Sequence, residues 1–262
     1  MSYRTVMAVD LQGYGSTPQN VQHVLQANLV DCLREAATNA RLDADRWEDQ
    51  GSGDGKLMVL PHGVAVEALA GRFVRDLNGA LRARNRLASV EARTRMRLAI
   101  HHGPVAEAPN GYTGSAPVVV TRLVNADPLR RALHAAGTDL AVIVSAFVFR
   151  GSIEAGMTSL DPTELRHVHV PGLGADSDAW FWLPNGPDPR TLDLGDDPSA
   201  DTEAGGDAGG DAAGDDGPAP EPPPSSGGNG GAYGANGVHI NAPGGTVILR
   251  DQNNTHYYGD RS

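Results

Sequence analysis

The chain has 262 residues, with 32 acidic and 21 basic side chains and a formal net charge of −11. Residues from Asp188 to the C-terminus hold 13 of the acids and 3 of the bases, so the first 187 residues are close to neutral. Without a polycationic patch, duplex nucleic acid is excluded as an expected partner. The single cysteine, Cys32, excludes an intramolecular disulfide and a CxxC zinc site.

The N-terminal stretch MSYRTVMAVD has no signal-peptide pattern. No apolar stretch approaches the roughly 20 residues that a membrane-spanning helix needs. We therefore expect a cytoplasmic protein with no membrane partner.

Predicted strands and helices alternate along the first 187 residues. The patterns predict a buried strand at 5–10, an amphipathic helix at 20–41, and a glycine-rich hairpin tip at 50–55 before a strand at 56–60. They then predict a helix at 64–84, a strand at 95–103, a helix at 117–136, a strand at 139–145, a short helix, and strands near 165–170 and 179–183. This order favours an α+β domain, residues 1–187, with helices packed on one mixed sheet.

The composition changes after Pro187. Residues 188–235 are mostly Gly, Asp, Ala, Pro and Ser, which predicts an extended, disordered, acidic linker. Residues 236–262 contain two β-prone runs, VHI and TVILR, joined by a Pro-Gly-Gly turn and followed by an Asn-rich aromatic end. This tail suits strand addition or cross-β self-association, and it resembles short amyloid-type signalling motifs of bacterial immune proteins. The alternative is a disordered, solubilising end.

Two aspartates mark the ends of predicted β elements. Asp10 ends the first strand and Asp54 lies in the hairpin tip GSGDG, so the two carboxylates meet if the hairpin pairs with that strand. Paired carboxylates that stay ionised usually hold divalent cations between them. Alternatively, Asp10 caps a turn and Asp54 is an ordinary hairpin-tip residue.

The loop after Asp10 is a candidate phosphate site. Gly13 and Gly15 leave little side-chain bulk in DLQGYGS, so its N–H groups can approach a phosphate just ahead of a helix N-terminus. The candidate phosphate-binding residues are Gln12, Gly13, Tyr14 and Gly15.

Four motifs in order resemble the catalytic domain of class III nucleotidyl cyclases, most closely a divergent actinobacterial branch. The motifs are VDLQGYGS, GDG before an apolar strand, RLAIHHGPV and GSAPVVVTRL, and the resemblance runs from about Thr5 to about Leu183. It implies a ferredoxin-like mixed sheet and a homodimer whose active sites lie at the interface. The implied reaction converts a nucleoside triphosphate to a 3′,5′-cyclic nucleotide and pyrophosphate.

The resemblance also implies roles for individual residues. Asp10 and Asp54, with the backbone carbonyl of Leu11, correspond to the ligands of two Mg²⁺ or Mn²⁺ ions. Such ions would lower the pKa of the ribose 3′-hydroxyl and neutralise the leaving pyrophosphate. Arg122 matches the arginine that stabilises the charged transition state. Alternatively, on residues alone, Arg122 is a solvent-exposed charge on a helix.

The sequence departs from the family at two kinds of position. Val118 stands where most of these cyclases have an asparagine that orients the ribose. The purine-reading positions carry neither the usual lysine nor the usual glutamate, and the base-selecting candidates here are Gln50, Ser52, Asn110 and Tyr112. Either the substrate is not ATP or the pocket has decayed. Divergent relatives in anti-phage defence act as pyrimidine cyclases, and they depart at the same positions.

Two classes of function follow from these motifs. The first is an active nucleotidyl cyclase, with a pyrimidine cyclase in antiviral signalling as its more specific form. The second is a catalytically silent cyclase-like scaffold that dimerises and recruits protein partners through residues 236–262.

Overall fold

The computed structural model describes residues 1–109, 111–194, 237–242 and 245–250. Its strands are β1 (Ser2–Leu11), β2 (Glu48–Ser52), β3 (Gly55–Val59), β4 (Met96–Ala108), β5 (Gly111–Thr113), β6 (Leu140–Ser145), β7 (Arg166–His169), β8 (Asp178–Trp182), β9 (Gly237–Ala242) and β10 (Gly245–Arg250). Its α-helices are α1 (Gln19–Asn39), α2 (Val66–Ala68), α3 (Val74–Asn85), α4 (Ser115–Val124), α5 (Asp127–Ala136) and α6 (Ala146–Val148). Two π-helical segments, Leu69–Phe73 and Phe149–Glu154, follow α2 and α6.

Within residues 1–109 and 111–194, eight strands form one mixed sheet in the order β2-β3-β1-β4-β6-β8-β7, with β5 paired to β4. β1 is antiparallel to both of its neighbours, β3 and β4. β4 and β6 are parallel, whereas β6, β8 and β7 are antiparallel in turn. The predicted α+β fold with a mixed sheet is therefore confirmed.

Alternating residues of β1 pack into two hydrophobic cores on opposite faces of the sheet. Met7 and Val9 point to the core that α1, α3 and the first π-helical segment cover. Val6 and Ala8 point to the opposite core, beneath α4 and α5. This alternation follows from the two-residue period of a β-strand, and it places Asp10 on the same face as α4 and α5.

The predicted helix at 117–136 is wrong, because the chain forms two helices there. α4 ends at Val124, and α5 begins at Asp127 with Pro128 in its first turn. Proline lacks the N–H that an uninterrupted helix needs, but it is well tolerated at a helix start. α5 ends at Ala136, and Gly137, which caps it, has a left-handed φ of 62°.

Four other segments differ from the sequence prediction. β4 continues to Ala108, past the predicted end at 103, and the short β5 was not predicted at all. The predicted helix at 64–84 is interrupted by the π-helical segment Leu69–Phe73. β2 includes residues 50–52, which the sequence had placed in the hairpin turn.

Regular structure of the first domain continues beyond the predicted boundary at Pro187. A 3₁₀ turn spans Pro189–Thr191, and Leu194 is buried in the core beneath α4 and α5. The rest of the predicted linker, from residue 195 to 235, lies outside the described residues, as do residues 251–262 of the tail. In the tail, β9 and β10 pair as a two-stranded sheet of their own. Among the described helices, none combines the length and apolar character needed to cross a membrane.

Candidate active site

Asp10 and Asp54 lie at the same end of the sheet. Asp10 is opposite Gly55 in the antiparallel pairing of β1 with β3, so its main chain is adjacent to the hairpin tip. The N–H of Leu11 donates a hydrogen bond of 2.9 Å to the carbonyl of Asp54. The hairpin therefore pairs with the first strand, as the two-carboxylate hypothesis requires.

The hairpin tip is held in place by its backbone conformation and by α1. Gly53 has a φ of +64°, which L side chains rarely adopt. Its carbonyl accepts a 2.8 Å hydrogen bond from the side-chain amide of Gln26 on α1. This contact fixes the turn immediately before Asp54.

Arg97 on β4 lies beside Asp10 on the adjacent strand β1. The two residues are directly opposite in the β1–β4 register, and the guanidinium of Arg97 donates to the carboxylate of Asp10. Both side chains are largely buried, with 8% of Arg97 and 16% of Asp10 exposed. Burial raises the pKa of Asp10, and the neighbouring charge of Arg97 opposes that rise.

Arg97 was not among the site residues predicted from the sequence. It lies in the run RMRLAI, which indicates a buried strand. The available signal was a basic residue inside that apolar run, since arginine is almost never fully buried without a partner. Its partner Asp10 becomes evident only from the strand register.

Most of the buried polar side-chain atoms that lack a hydrogen-bond partner in the described part of the chain lie near Asp10. Of the four buried side-chain polar atoms that lack a partner in the described part of the chain, three belong to Arg97 (Nε and Nη1) and Gln12 (Oε1). Gln12 is two residues after Asp10, and its main-chain N–H donates to the carbonyl of Arg95, which immediately precedes β4. Buried polar groups are normally satisfied, so these atoms indicate room for a polar ligand.

The glycine loop after Asp10 is open but partly committed to its own hydrogen bonds. Gly13 has a φ of +76°, and nothing lies within 4 Å of a Cβ placed on Gly13 or Gly15. The carbonyl of Gly13 accepts bonds from the hydroxyls of Ser16 and Thr17. Because the Gln12 N–H is used by Arg95, amide donors for a phosphate would have to come from Gly13, Tyr14 and Gly15.

The structure brings the described base-selecting candidates together. The side-chain amide of Gln50 on β2 lies directly over Gly111 on β5, since a Cβ at Gly111 would be 2.6 Å from Gln50 Oε1. The hydroxyl of Tyr112 donates to the carboxylate of Glu48, two residues before Gln50. Asn110 and the side chain of Ser52 lie outside the described part of the chain.

Arg122 forms a hydrogen bond with the turn that follows β7. Its guanidinium donates to the carbonyl of Gly172, in the turn after β7. Val118, one helical turn earlier on α4, is half-buried. The hydrogen bond to Gly172 directs Arg122 towards the turn after β7.

The residues around Asp10 suit a hard divalent cation. No group of three His, Cys, Asp or Glu side chains suited to a metal occurs within the described residues. Mg²⁺, however, is commonly held by only one or two carboxylates together with waters and substrate phosphates. Asp10 and Asp54, whose main chains are linked by the Leu11–Asp54 hydrogen bond, are the candidates for such carboxylates, and the carboxylate of Asp10 also accepts from Arg97.

Comparison with solved structures identifies a shared fold. An adenylate/guanylate cyclase/hydrolase from Silicibacter pomeroyi is similar over 70% of this chain and 98% of its own, with a TM-score of 0.52 and 17% identity. The guanylyl cyclase Cya2 has a TM-score of 0.48 and 17% identity, over 74% of this chain and 98% of its own. The guanylate cyclase domain of RhGC from Catenaria anguillulae, in complex with GTP, has a TM-score of 0.46 and 12% identity, over 69% and 95%.

No protein-family model matches the sequence, and no curated protein does so either. The strand order, the two helical layers and the likeness to the Silicibacter pomeroyi structure together show that the domain has the fold of an adenylyl/guanylyl cyclase domain.

Proposed function

We propose that this protein is a nucleotidyl cyclase that converts a nucleoside triphosphate to a 3′,5′-cyclic nucleotide and pyrophosphate. One observation carries the proposal: buried donors of Arg97 without a protein partner lie beside Asp10, at the sheet end that also holds Asp54. A triphosphate offers the anionic oxygens that these donors lack. The cyclase-type fold supports the same conclusion.

In the proposed reaction, the ribose 3′-oxygen attacks the α-phosphorus and loses its proton to solvent water. The bond from the α-phosphorus to the bridging oxygen breaks, and pyrophosphate leaves with that electron pair. Two Mg²⁺ or Mn²⁺ ions would lower the pKa of the 3′-hydroxyl and neutralise charge on the leaving group. Asp10, Asp54 and the carbonyl of Leu11 would hold these ions.

The remaining residues would orient the substrate. The guanidinium of Arg97 would bind phosphate oxygens through its free Nε and Nη1 donors. Arg122 of a second copy would stabilise charge on the α-phosphate in the transition state, which places the site at a homodimer interface. Both roles need a planar, permanently charged donor fork, which arginine supplies.

For the base, we propose a pyrimidine. Gln50 and Gly111 meet at the base-selecting end, and neither carries the charged side chain that purine cyclases of the family use there. A carboxamide offers a donor and an acceptor side by side, which can pair with cytosine, uracil or adenine, so the proposal of a pyrimidine rests on the missing charged side chain. A role in antiviral defence rests on the sequence resemblance alone and stays a prediction.

The experiment is to incubate the purified full chain with ATP, GTP, CTP and UTP separately, with Mn²⁺, and to identify products by mass spectrometry. We expect a cyclic nucleotide and pyrophosphate, formed faster from a pyrimidine triphosphate. Asp10→Ala and Asp54→Ala should each abolish it. Asp49→Ala is the matched control, because Asp49 is an exposed carboxylate of the same hairpin that pairs with Lys56. A wild-type chain that forms no cyclic product would refute the proposal.

A silent scaffold that recruits partners through its tail is the second candidate function. Val118 at the ribose-orienting position and the pairing of β9 with β10 favour it. An isolated two-stranded sheet is only marginally stable, so its open edges invite strand addition from another copy. We expect the full chain to sediment as species larger than a dimer, and Val247→Pro, which removes a ladder donor from β10, to reduce them to a dimer.

A further inference from the structure

Among the described strands, β5 pairs with β4 alone. It pairs with the end of β4 through Ala106–Thr113, Glu107–Tyr112 and Ala108–Gly111. In the main strand order, β3 and β1 separate β2 from β4. The position of β5 relative to β2 therefore depends on side-chain contacts rather than on a backbone ladder.

A chain of three polar side chains makes that connection. The hydroxyl of Tyr112 donates to one carboxylate oxygen of Glu48, and Arg4 donates to the other at 2.7 Å. Arg4 is itself buried, with 9% of its surface exposed, and its Nε donates to the carbonyl of Leu60 at 2.7 Å. We call this set, Arg4, Glu48 and Tyr112, the clamp.

The protonation states of Glu48 and Tyr112 in the clamp do not change near neutral pH. Hydrogen bonds from Tyr112 and Arg4 lower the pKa of Glu48. Burial and the bond to Glu48 raise the pKa of Tyr112 to about 12. Glu48 is therefore the acceptor and Tyr112 the donor throughout the physiological range, so the connection does not depend on a titration.

Gln50 lies beside the clamp and is the residue that the clamp would orient. It follows Glu48 by two positions on β2 and so shares its face of the strand. Its amide occupies the space where a side chain at position 111 would lie, and Gly111 also has a φ of +101°. A shift of β5 would move Gly111 from beneath this amide.

We propose that Arg4, Glu48 and Tyr112 are positioning residues that set base selectivity by holding β5 against β2, which fixes the amide of Gln50. The inference rests on the proposed function, with Gln50 reading the nucleobase. Gln50 precedes Asp54 by four residues, at most about 13 Å of chain, so the base end and the phosphate end lie within one nucleotide's reach. Tyr112 thus acts through Glu48 and does not read the base itself, because its hydroxyl is already committed.

The test compares Tyr112→Phe with wild type in the full chain, and Tyr3→Phe is the matched control. Tyr3 is 68% exposed and lies on the opposite face of the sheet. For each protein, kcat and KM are measured for all four triphosphates with Mn²⁺. We expect Tyr112→Phe to raise KM for the preferred nucleotide and to reduce the selectivity ratio between the best and second-best nucleotide roughly tenfold, as the loss of a charged hydrogen bond implies. The control should leave the ratio unchanged.

A double-mutant cycle separates positioning from general damage. If Tyr112 acts through Gln50, Tyr112→Phe should have no further effect on selectivity in a Gln50→Ala chain. Equal loss for all four nucleotides, or an effect that adds to that of Gln50→Ala, would overturn the inference.

Hydrogen–deuterium exchange of the same variants does not require activity. Tyr112→Phe should accelerate exchange in the β4–β5 hairpin, whereas Tyr3→Phe should not. Unchanged exchange would show that the clamp does not hold β5. If the wild-type chain makes no cyclic product, the proposed function and the base-selecting role fall together, while exchange still decides whether the clamp holds β5.

Discussion

At the residue scale, Asp10 and Arg97 form the electrostatic centre of the candidate site. Both are largely buried and directly opposite on adjacent strands. Removing one member of such a pair leaves an uncompensated charge in a low dielectric, whereas removing both is much less costly. The pair therefore couples the stability of the sheet end to the chemistry of the site.

We expect Arg97→Met to lower the free energy of unfolding by about 3 kcal/mol. The double variant Asp10→Asn/Arg97→Met should be more stable than the two single effects added together predict, because it leaves no charge unpaired. Chemical denaturation of the three variants and wild type measures the coupling. Strictly additive effects would mean that the contact contributes nothing.

His101 is a second buried titratable group, and the prediction for it concerns pH. Its Nδ1 lies 2.8 Å from the hydroxyl of Ser145, and only 3% of the residue is exposed. Burial lowers its pKa from 6.5 to about 4. As pH falls from 6.5 to 4, His101 becomes protonated in the unfolded chain but stays largely neutral in the folded chain. The free energy of unfolding therefore decreases in this pH window.

We expect this group to account for about 3 kcal/mol of the stability lost between pH 6.5 and 4. His101→Asn can retain a bond to Ser145 but cannot titrate. Its free energy of unfolding, measured by urea denaturation across this window, should therefore fall less steeply than that of wild type. Parallel pH curves for the two proteins would contradict the prediction.

At the element scale, the β2–β3 hairpin presents Asp54 through a turn that needs glycine at one position only. Gly51 and Gly53 both have open space where a Cβ would lie, but only Gly53 has a positive φ. The pair therefore compares a glycine of strand β2 with a turn glycine in the left-handed region.

Gly53→Ala should lower the free energy of unfolding by about 1 kcal/mol, because alanine is strained in the left-handed region. It should also reduce nucleotide turnover, since a relaxed turn would displace Asp54. Gly51→Ala, in the extended strand, should be neutral or slightly stabilising. Thermal unfolding and cyclase assays of both variants check this, and equal behaviour of the two would refute the assigned role of the turn.

Elements with strong local signals were predictable, and those that depend on distant partners were not. The apolar spacing of α1 is local, so this helix was predicted close to its observed bounds. The glycines indicated the hairpin, although β2 extends into the predicted tip. β5 has three residues and exists through its pairing with β4. The α4–α5 break had a local signal in Pro128, but the apolar pattern continues across it and masked the boundary.

The candidate site divides in the same way. Asp10 and Asp54 stood out because each ends a β element at a carboxylate. Arg97 and Glu48 did not, since their significance comes from the strand register and from contacts 87 and 44 residues apart along the chain. Pattern alone identifies the carboxylates, whereas the groups that neutralise or orient them require the fold.

At the scale of the whole molecule, the proposed function requires two copies of the chain. Within one chain, the guanidinium of Arg122 donates to the carbonyl of Gly172, and the proposal assigns the transition-state arginine to a second copy. In a symmetric dimer, each of the two equivalent sites would combine the aspartates of one copy with the arginine of the other. Two inactive chains with different lesions can then rebuild one intact site between them.

We therefore expect Asp10→Ala and Arg122→Ala chains, each inactive alone, to regain activity when mixed. With random exchange, half of the dimers are mixed and each has one intact site, so activity should approach about a quarter of wild type. Asp10→Ala mixed with Asp54→Ala is the control. Both lesions affect the metal-binding half, so every mixed site lacks one aspartate and activity should stay absent. No recovery in the first mixture after verified subunit exchange would mean that each site is built within one chain, whereas recovery in the control would mean that the two aspartates of a site come from different chains.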